Sequence, residues 1–189
     1  MTLDEIKKMR RQQFLLMNVL LLILVTFYLI LIQIIGVTSS QFFITLGVVL
    51  LIQSIIGFIR INSTKSLFSI YEKVSLYEKQ KMGAEWKKQR KISYIWMLIT
   101  SSFLFTQAYL NRDISGDFLK FDIRYMVLML IFILGLSNLS LLIHVKKVDS
   151  SKAARDLKGY TRKTNITAVL LGAVSAIILI FITLFYIMI

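Results

Sequence analysis

Five runs free of charged residues, 14–36, 41–59, 94–110, 125–143 and 165–189, occupy more than half of this chain. All 23 basic and 10 acidic residues lie outside them. About 20 apolar residues cross the roughly 30 Å hydrocarbon layer as a helix. In lipid a helix satisfies every backbone N–H and C=O within its own segment. The runs therefore predict an all-α, polytopic membrane bundle of five transmembrane helices, forming one domain over residues 1–189. The third run is the shortest. Ile92 and Ser93 extend it to 92–110, and Lys91 can snorkel toward the headgroups. A cleaved leader is not expected, because the first run is too long for a signal h-region and no small-residue cleavage site follows it.

The net charge of +13 would suggest nucleic acid in a soluble protein, but its distribution argues for a membrane. Segments 1–13, 60–93 and 144–164 carry 4, 9 and 7 Lys/Arg residues, whereas 37–40 and 111–124 carry none and 3. Positive loops stay on the cytoplasmic side during insertion. With five spans, the N-terminus is then cytoplasmic and the C-terminus extracytoplasmic, with cytoplasmic helical connectors at 60–91 and 144–164. Trp86, Tyr94, Trp96 and Tyr160 gather near the inner boundary, and Tyr109, Tyr125 and Tyr186 near the outer one, as interfacial aromatic rings do. The expected partners are anionic headgroups on the cytoplasmic side and a membrane protein or second copy of the chain; no nucleic acid is expected. The Ile-, Leu- and Lys-rich, cysteine-free composition fits a bacterial cytoplasmic membrane.

Local signals refine this outline. Thr2 and Glu5 fit a capping box, so the N-terminal arm should run as a helix into the first span. The short turn 37–40 should make the first two spans antiparallel neighbours. In the connector 60–91, Leu67, Ile70, Tyr71 and Val74 share one helical arc, Ser63 or Thr64 can cap its start, and Gly83 marks a break before a second helix. This helix either lies on the inner surface or stands as half of a hairpin. Similar polar and basic flanks around spans two and three and spans four and five suggest a parallel duplication, with the first connector 15 residues longer. The absence of proline favours uninterrupted rods.

Chemistry is sparsely provided. No ionisable group lies within a run, so the usual intramembrane site candidates are missing. Without cysteine there is neither thiolate nucleophile nor disulfide, and the single His144 reads as an interfacial anchor beside Lys146 and Lys147. No catalytic residue, metal site or cofactor is expected. Neutral polar groups within spans include Asn18, Gln53, Gln107 and Asn138. Gln53 and Ser54, with Ser137, Asn138 and Ser140, can form a polar seam between spans two and four, either as interhelical hydrogen bonding or as a solute path. Ala168, Gly172 and Ala176 form a small-residue strip on the fifth span, which Gly135 can match. Lys87, Lys88, Arg90, Lys91, Arg162 and Lys163 are placed for headgroup or partner contacts. Asp113, Asp117 and Asp122 on the outer loop prompt a calcium reading, but their spacing matches no twelve-residue calcium loop. No phosphate-binding glycine motif is present.

The expected function is that of a non-catalytic integral membrane protein acting by binding, as an accessory, immunity or regulatory subunit. The alternative is a small oligomeric transporter or channel subunit using the seam.

Overall fold

The computed structural model describes residues 1–113 and 123–188, and among them the regular elements are all helices. They are α1 (Leu3–Ile35), α2 (Ser39–Ile59), α3 (Ser69–Met82), α4 (Ala84–Leu110), α5 (Ile123–Ser150), a 3-10 turn (Ala154–Leu157) and α6 (Tyr160–Met188). Four of them, α1, α2, α5 and α6, are long and apolar enough to cross a membrane by length and composition. The third expected span, within α4, is diluted by Thr100, Ser101, Ser102, Thr106 and Gln107.

The N-terminal arm does run unbroken into the first apolar run. Glu5 accepts from the Thr2 N–H at 2.8 Å and Thr2 Oγ1 from the Glu5 N–H at 3.3 Å, closing the expected capping box. A second box opens α2, where Thr38 and Gln41 satisfy each other's N–H groups. Among the described residues, the short turn brings α1 and α2 together at one contact rather than along their length. They meet where the Tyr28 and Phe42 rings lie 5.6 Å apart, but α2 pairs along its length with α4, while α1 packs on α3 and α5.

The α2–α4 pairing is built from small residues. Gly47, Ser54 and Gly57 on α2 and Ser101 and Ala108 on α4 are buried there. Ser54 donates to the Tyr94 carbonyl at 2.9 Å and Ser101 to the Gly47 carbonyl at 2.8 Å. A Cβ at Gly57 would overlap the Tyr94 ring, so the backbones approach more closely than any larger residue permits.

The remaining burial sits at one end of the molecule. Met9 of α1, Val74, Tyr77 and Met82 of α3, Trp86 of α4, Val148 of α5, Leu157 and Tyr160 form one cluster. The helix α3 is thus a packed member of a hairpin with α4, turned at Gly83 (φ +57°). It starts later than the hydroxyl signals suggested: Phe68 is its N-cap, Ser63 accepts from the Lys65 N–H instead, and Leu67 is 98% exposed. The second connector has no counterpart of α3. There α5 extends to Ser150, and only the 3-10 turn intervenes before α6, so the two expected repeat units differ by a whole helix.

Candidate functional site

Among the described residues, four charged or titratable side chains that are buried or partly buried, Arg10, Glu78, His144 and Asp149, are bound to one another at this end. Arg10 lies on the same face of α1 as Met9 and Gln13, and its side chain is 6% exposed. Its Nη2 and Nε donate to the two Asp149 carboxylate oxygens at 2.8 and 3.1 Å, a fork-on-fork pair. Nη1 donates to Glu78 Oε1 and Gln13 Oε1, both at 2.8 Å. The guanidinium also lies over the Tyr77 ring, 5.3 Å from its centroid. One cation thereby ties α1 to α3 and to the end of α5.

His144 completes the knot. Its Nε2 is 3.1 Å from Glu78 Oε1 and its Nδ1 2.8 Å from the Tyr160 hydroxyl. A neutral ring protonated at Nε2 donates to Glu78 and accepts from Tyr160, satisfying both contacts. The expected role of a simple interfacial anchor is therefore replaced by a partly buried position bridging α3, α5 and α6. Burial alone would raise the Glu78 carboxyl; its bonds to His144 and Arg10 outweigh that and hold it below its ordinary value. The Tyr77 hydroxyl is buried, and burial, with the charge of and hydrogen bonding to Asp149 adding to it, pushes its pKa up.

A second tie joins α4 to α6. Glu85 Oε2 accepts from the Thr161 N–H at 3.1 Å and from Thr161 Oγ1 at 2.7 Å, and Oε1 accepts from Lys88 Nζ at 3.0 Å. A carboxylate on the free N–H groups of a helix start also meets the favourable end of the helix dipole. The Thr161 hydroxyl is the largest influence on Glu85; with the Thr161 N–H and Lys88 it overrides desolvation and lowers the carboxyl to about 2.

The expected seam between spans two and four is not assembled. Gln53 is exposed on α2, Ser54 is spent on the Tyr94 carbonyl of α4, Ser140 is exposed and Ser137 half-buried. Asn138 instead meets Asn18 of α1 in a reciprocal amide pair, with Nδ2–Oδ1 distances of 2.7 and 2.9 Å. Each amide gives its other proton to the carbonyl one turn back, Phe14 for Asn18 and Leu134 for Asn138, both at 2.8 Å. All the amide protons are used, and the contact joins α1 to α5. The reason for the change of partner is packing, since α2 pairs with α4 and leaves α5 to α1.

The strip Ala168, Gly172 and Ala176 is exposed along α6, and a Cβ at Gly172 or at the suggested partner Gly135 would meet nothing within 4 Å. The close small-residue contact belongs to α2 and α4, so the expected α5–α6 match is not formed within the chain. Beyond Thr161, no described residue of α6 is buried.

The basic contact residues divide into two groups. Arg90 is a structural tie: it bonds the Ser63 carbonyl and the Tyr94 hydroxyl and stacks over Trp86, with its carbon 4.6 Å from the ring centroid. Lys87, Lys88, Lys91, Arg162 and Lys163 are exposed. Of these, Lys88, Lys91 and Arg162 line a groove of about 580 Å³ between α4 and α6, with Ile92, Ile95 and Ile166 as its apolar wall. After α4, Asp113 pairs with Arg112 at 3.3 Å. Asp117 and Asp122 lie outside the described residues, as do the side chains of Tyr125 and Tyr186. Among the described residues no cluster of three His, Asp or Glu groups is arranged to hold a metal ion.

Sequence reasoning missed Arg10, Glu78, Asp149, Tyr160, Glu85 and Thr161 as a connected set. The available signal was a lone charge on an otherwise apolar helical arc, Arg10 beside Ile6, Met9 and Gln13, and Glu78 beside Val74, Tyr77 and Met82. Comparison with family models, with curated proteins and with solved structures finds no match for this chain.

Proposed function

We propose that this protein is a five-span, non-catalytic integral membrane protein that works by binding another membrane component, as an accessory, immunity or regulatory subunit. The observation carrying this reading is the contrast between the two parts of the molecule. Its titratable cluster is consumed internally, with Arg10, Glu78, Asp149 and His144 bound to one another. Its apolar helices are barely covered: no described residue of α5 before Val148 is buried, and α6 carries its small-residue strip with nothing against it. Such a strip offers a close approach to a helix from another chain.

What supports five crossings is the position of α4 beside α2. Tyr94 lies against Ser54 and Ser101 against Gly47, so α4 accompanies an apolar spanning helix along its length and shields its own polar residues against it. The charge bias of the connectors supports a cytoplasmic knot and an extracytoplasmic C-terminus in a cell membrane. The test is affinity purification from native membranes in mild detergent at native expression, with mass spectrometry. A stoichiometric second membrane protein, lost when Gly172 is changed to Leu, is the expected result. Solute flux through liposomes containing only the purified chain overturns the reading.

A further inference from the structure

The groove between α4 and α6 has a composition that neither the knot nor the hairpin explains. Its wall is apolar, formed by Ile92, Ile95 and Ile166, and its rim carries Lys88, Lys91 and Arg162. Glu85, at its base, is already spent on Thr161 and Lys88. Lys91 and Arg162 make no ion pair among the described residues, and both are exposed. The two helices are tied together at Glu85–Thr161, beyond which no described residue of α6 is buried, so the apolar wall stays uncovered just past the tie.

An apolar slot under a cluster of two free cations and one half-neutralised cation is complementary to one kind of molecule: an anion carried on a hydrocarbon chain. We propose that this groove binds a single anionic phospholipid, with its phosphate between Lys91 and Arg162 and its proximal acyl chain against Ile92, Ile95 and Ile166. The volume is within the range of small-molecule pockets, large enough for a phosphate headgroup and the first part of a chain. Basic pockets between membrane helices at the cytoplasmic face are a recognised mode of headgroup capture. The two parts of the site act together. The cations select the charge, and the isoleucines distinguish a lipid from free phosphate, which has no apolar part to bury. This site rests on the reading that the knot end faces a headgroup layer, but not on a protein partner.

The test uses the purified full-length chain in nanodiscs of phosphatidylcholine containing a minor fraction of phosphatidylglycerol. Bound lipid is counted by native mass spectrometry after release into detergent. The wild-type chain retains one phosphatidylglycerol in preference to phosphatidylcholine. The variant Lys91→Gln/Arg162→Gln loses that preference by roughly 25-fold, at about fivefold for each surface cation removed. Lys7→Gln/Lys8→Gln, which removes the same charge from exposed positions on α1, retains it; an equal loss there means diffuse attraction and overturns the site. Ile166→Trp, which fills the slot without altering charge, must also release the lipid. Retention unchanged in Lys91→Gln/Arg162→Gln likewise overturns the proposal. Circular dichroism and melting of each variant keep loss of binding distinct from loss of fold. Because no partner protein is in the assay, its failure leaves the partner-binding reading standing, and the reverse also holds.

Discussion

Arg10→Met is the perturbation that tests the knot most directly, because it keeps the apolar stem and removes the fork. The guanidinium makes three hydrogen bonds to carboxylates, two to Asp149 and one to Glu78. At about 1.5–3 kcal/mol for each charged bond, these sum to about 5–9 kcal/mol. That sum overstates the loss, because the orphaned partners are not equally stranded. The Asp149 side chain is 25% exposed and can rehydrate, whereas Glu78, at 13%, keeps only His144. Breaking a buried pair costs about 3–5 kcal/mol, so the expected loss is the lower figure, about 3 kcal/mol. Equilibrium unfolding in mixed micelles, followed by tryptophan fluorescence, reports it well, because Trp86 is buried in the same cluster. The triple variant Arg10→Met/Glu78→Gln/Asp149→Asn, which removes the stranded charges, should recover about 1–2 kcal/mol of that loss. An Arg10→Met protein within about 0.5 kcal/mol of wild type, the range of ordinary surface changes, would refute this account. So would a triple variant no more stable than the single one.

The Asn18–Asn138 pair makes a prediction about coupling. Either single change to Leu strands the other amide and should cost about 1–2 kcal/mol, whereas the double change should cost less than the two singles combined; strict additivity in the same unfolding assay sinks the pair. Glu85 predicts an acid-sensitive contact. Its folded pKa of about 2 lies below the ordinary 4.5, so its contribution is full above pH 4.5 and is lost as pH falls toward 2. Glu85→Gln should flatten the pH dependence of melting in that window; an unchanged slope contradicts it.

The helices themselves were legible because membrane insertion writes itself into composition: a run without charges is long, local and hard to mistake. Gly83 was legible for a similarly local reason, since a residue at φ +57° favours glycine. Partner choice was not. Gln53 and Asn138 sit at matching depths in their spans, but depth does not reveal which helix lies alongside. Asn138 found Asn18 because the close fit of Gly47, Ser54 and Gly57 to α4 had already claimed α2. The knot was illegible for a further reason. Arg10 and Asp149 are separated by 139 residues, and no periodicity connects them. Residues such as Arg90 were legible as cations but not as structural ties, because stacking on Trp86 leaves no mark in charge counts.

Arg10 lies near the start of α1, Glu78 in α3 and Asp149 at the end of α5. With the five crossings proposed above, these three meet only if every intervening apolar segment has been inserted in the correct sense. A chain in which one segment failed to cross would leave Asp149 on the far side of the bilayer from Arg10, with no means of bringing the charges together at tolerable cost. On that five-span proposal the Arg10–Asp149 fork would reward a single topology, closing only once α5 is in place. On the same proposal, a chain that misinserted would keep an unpaired Arg10, a chemical difference from the finished protein.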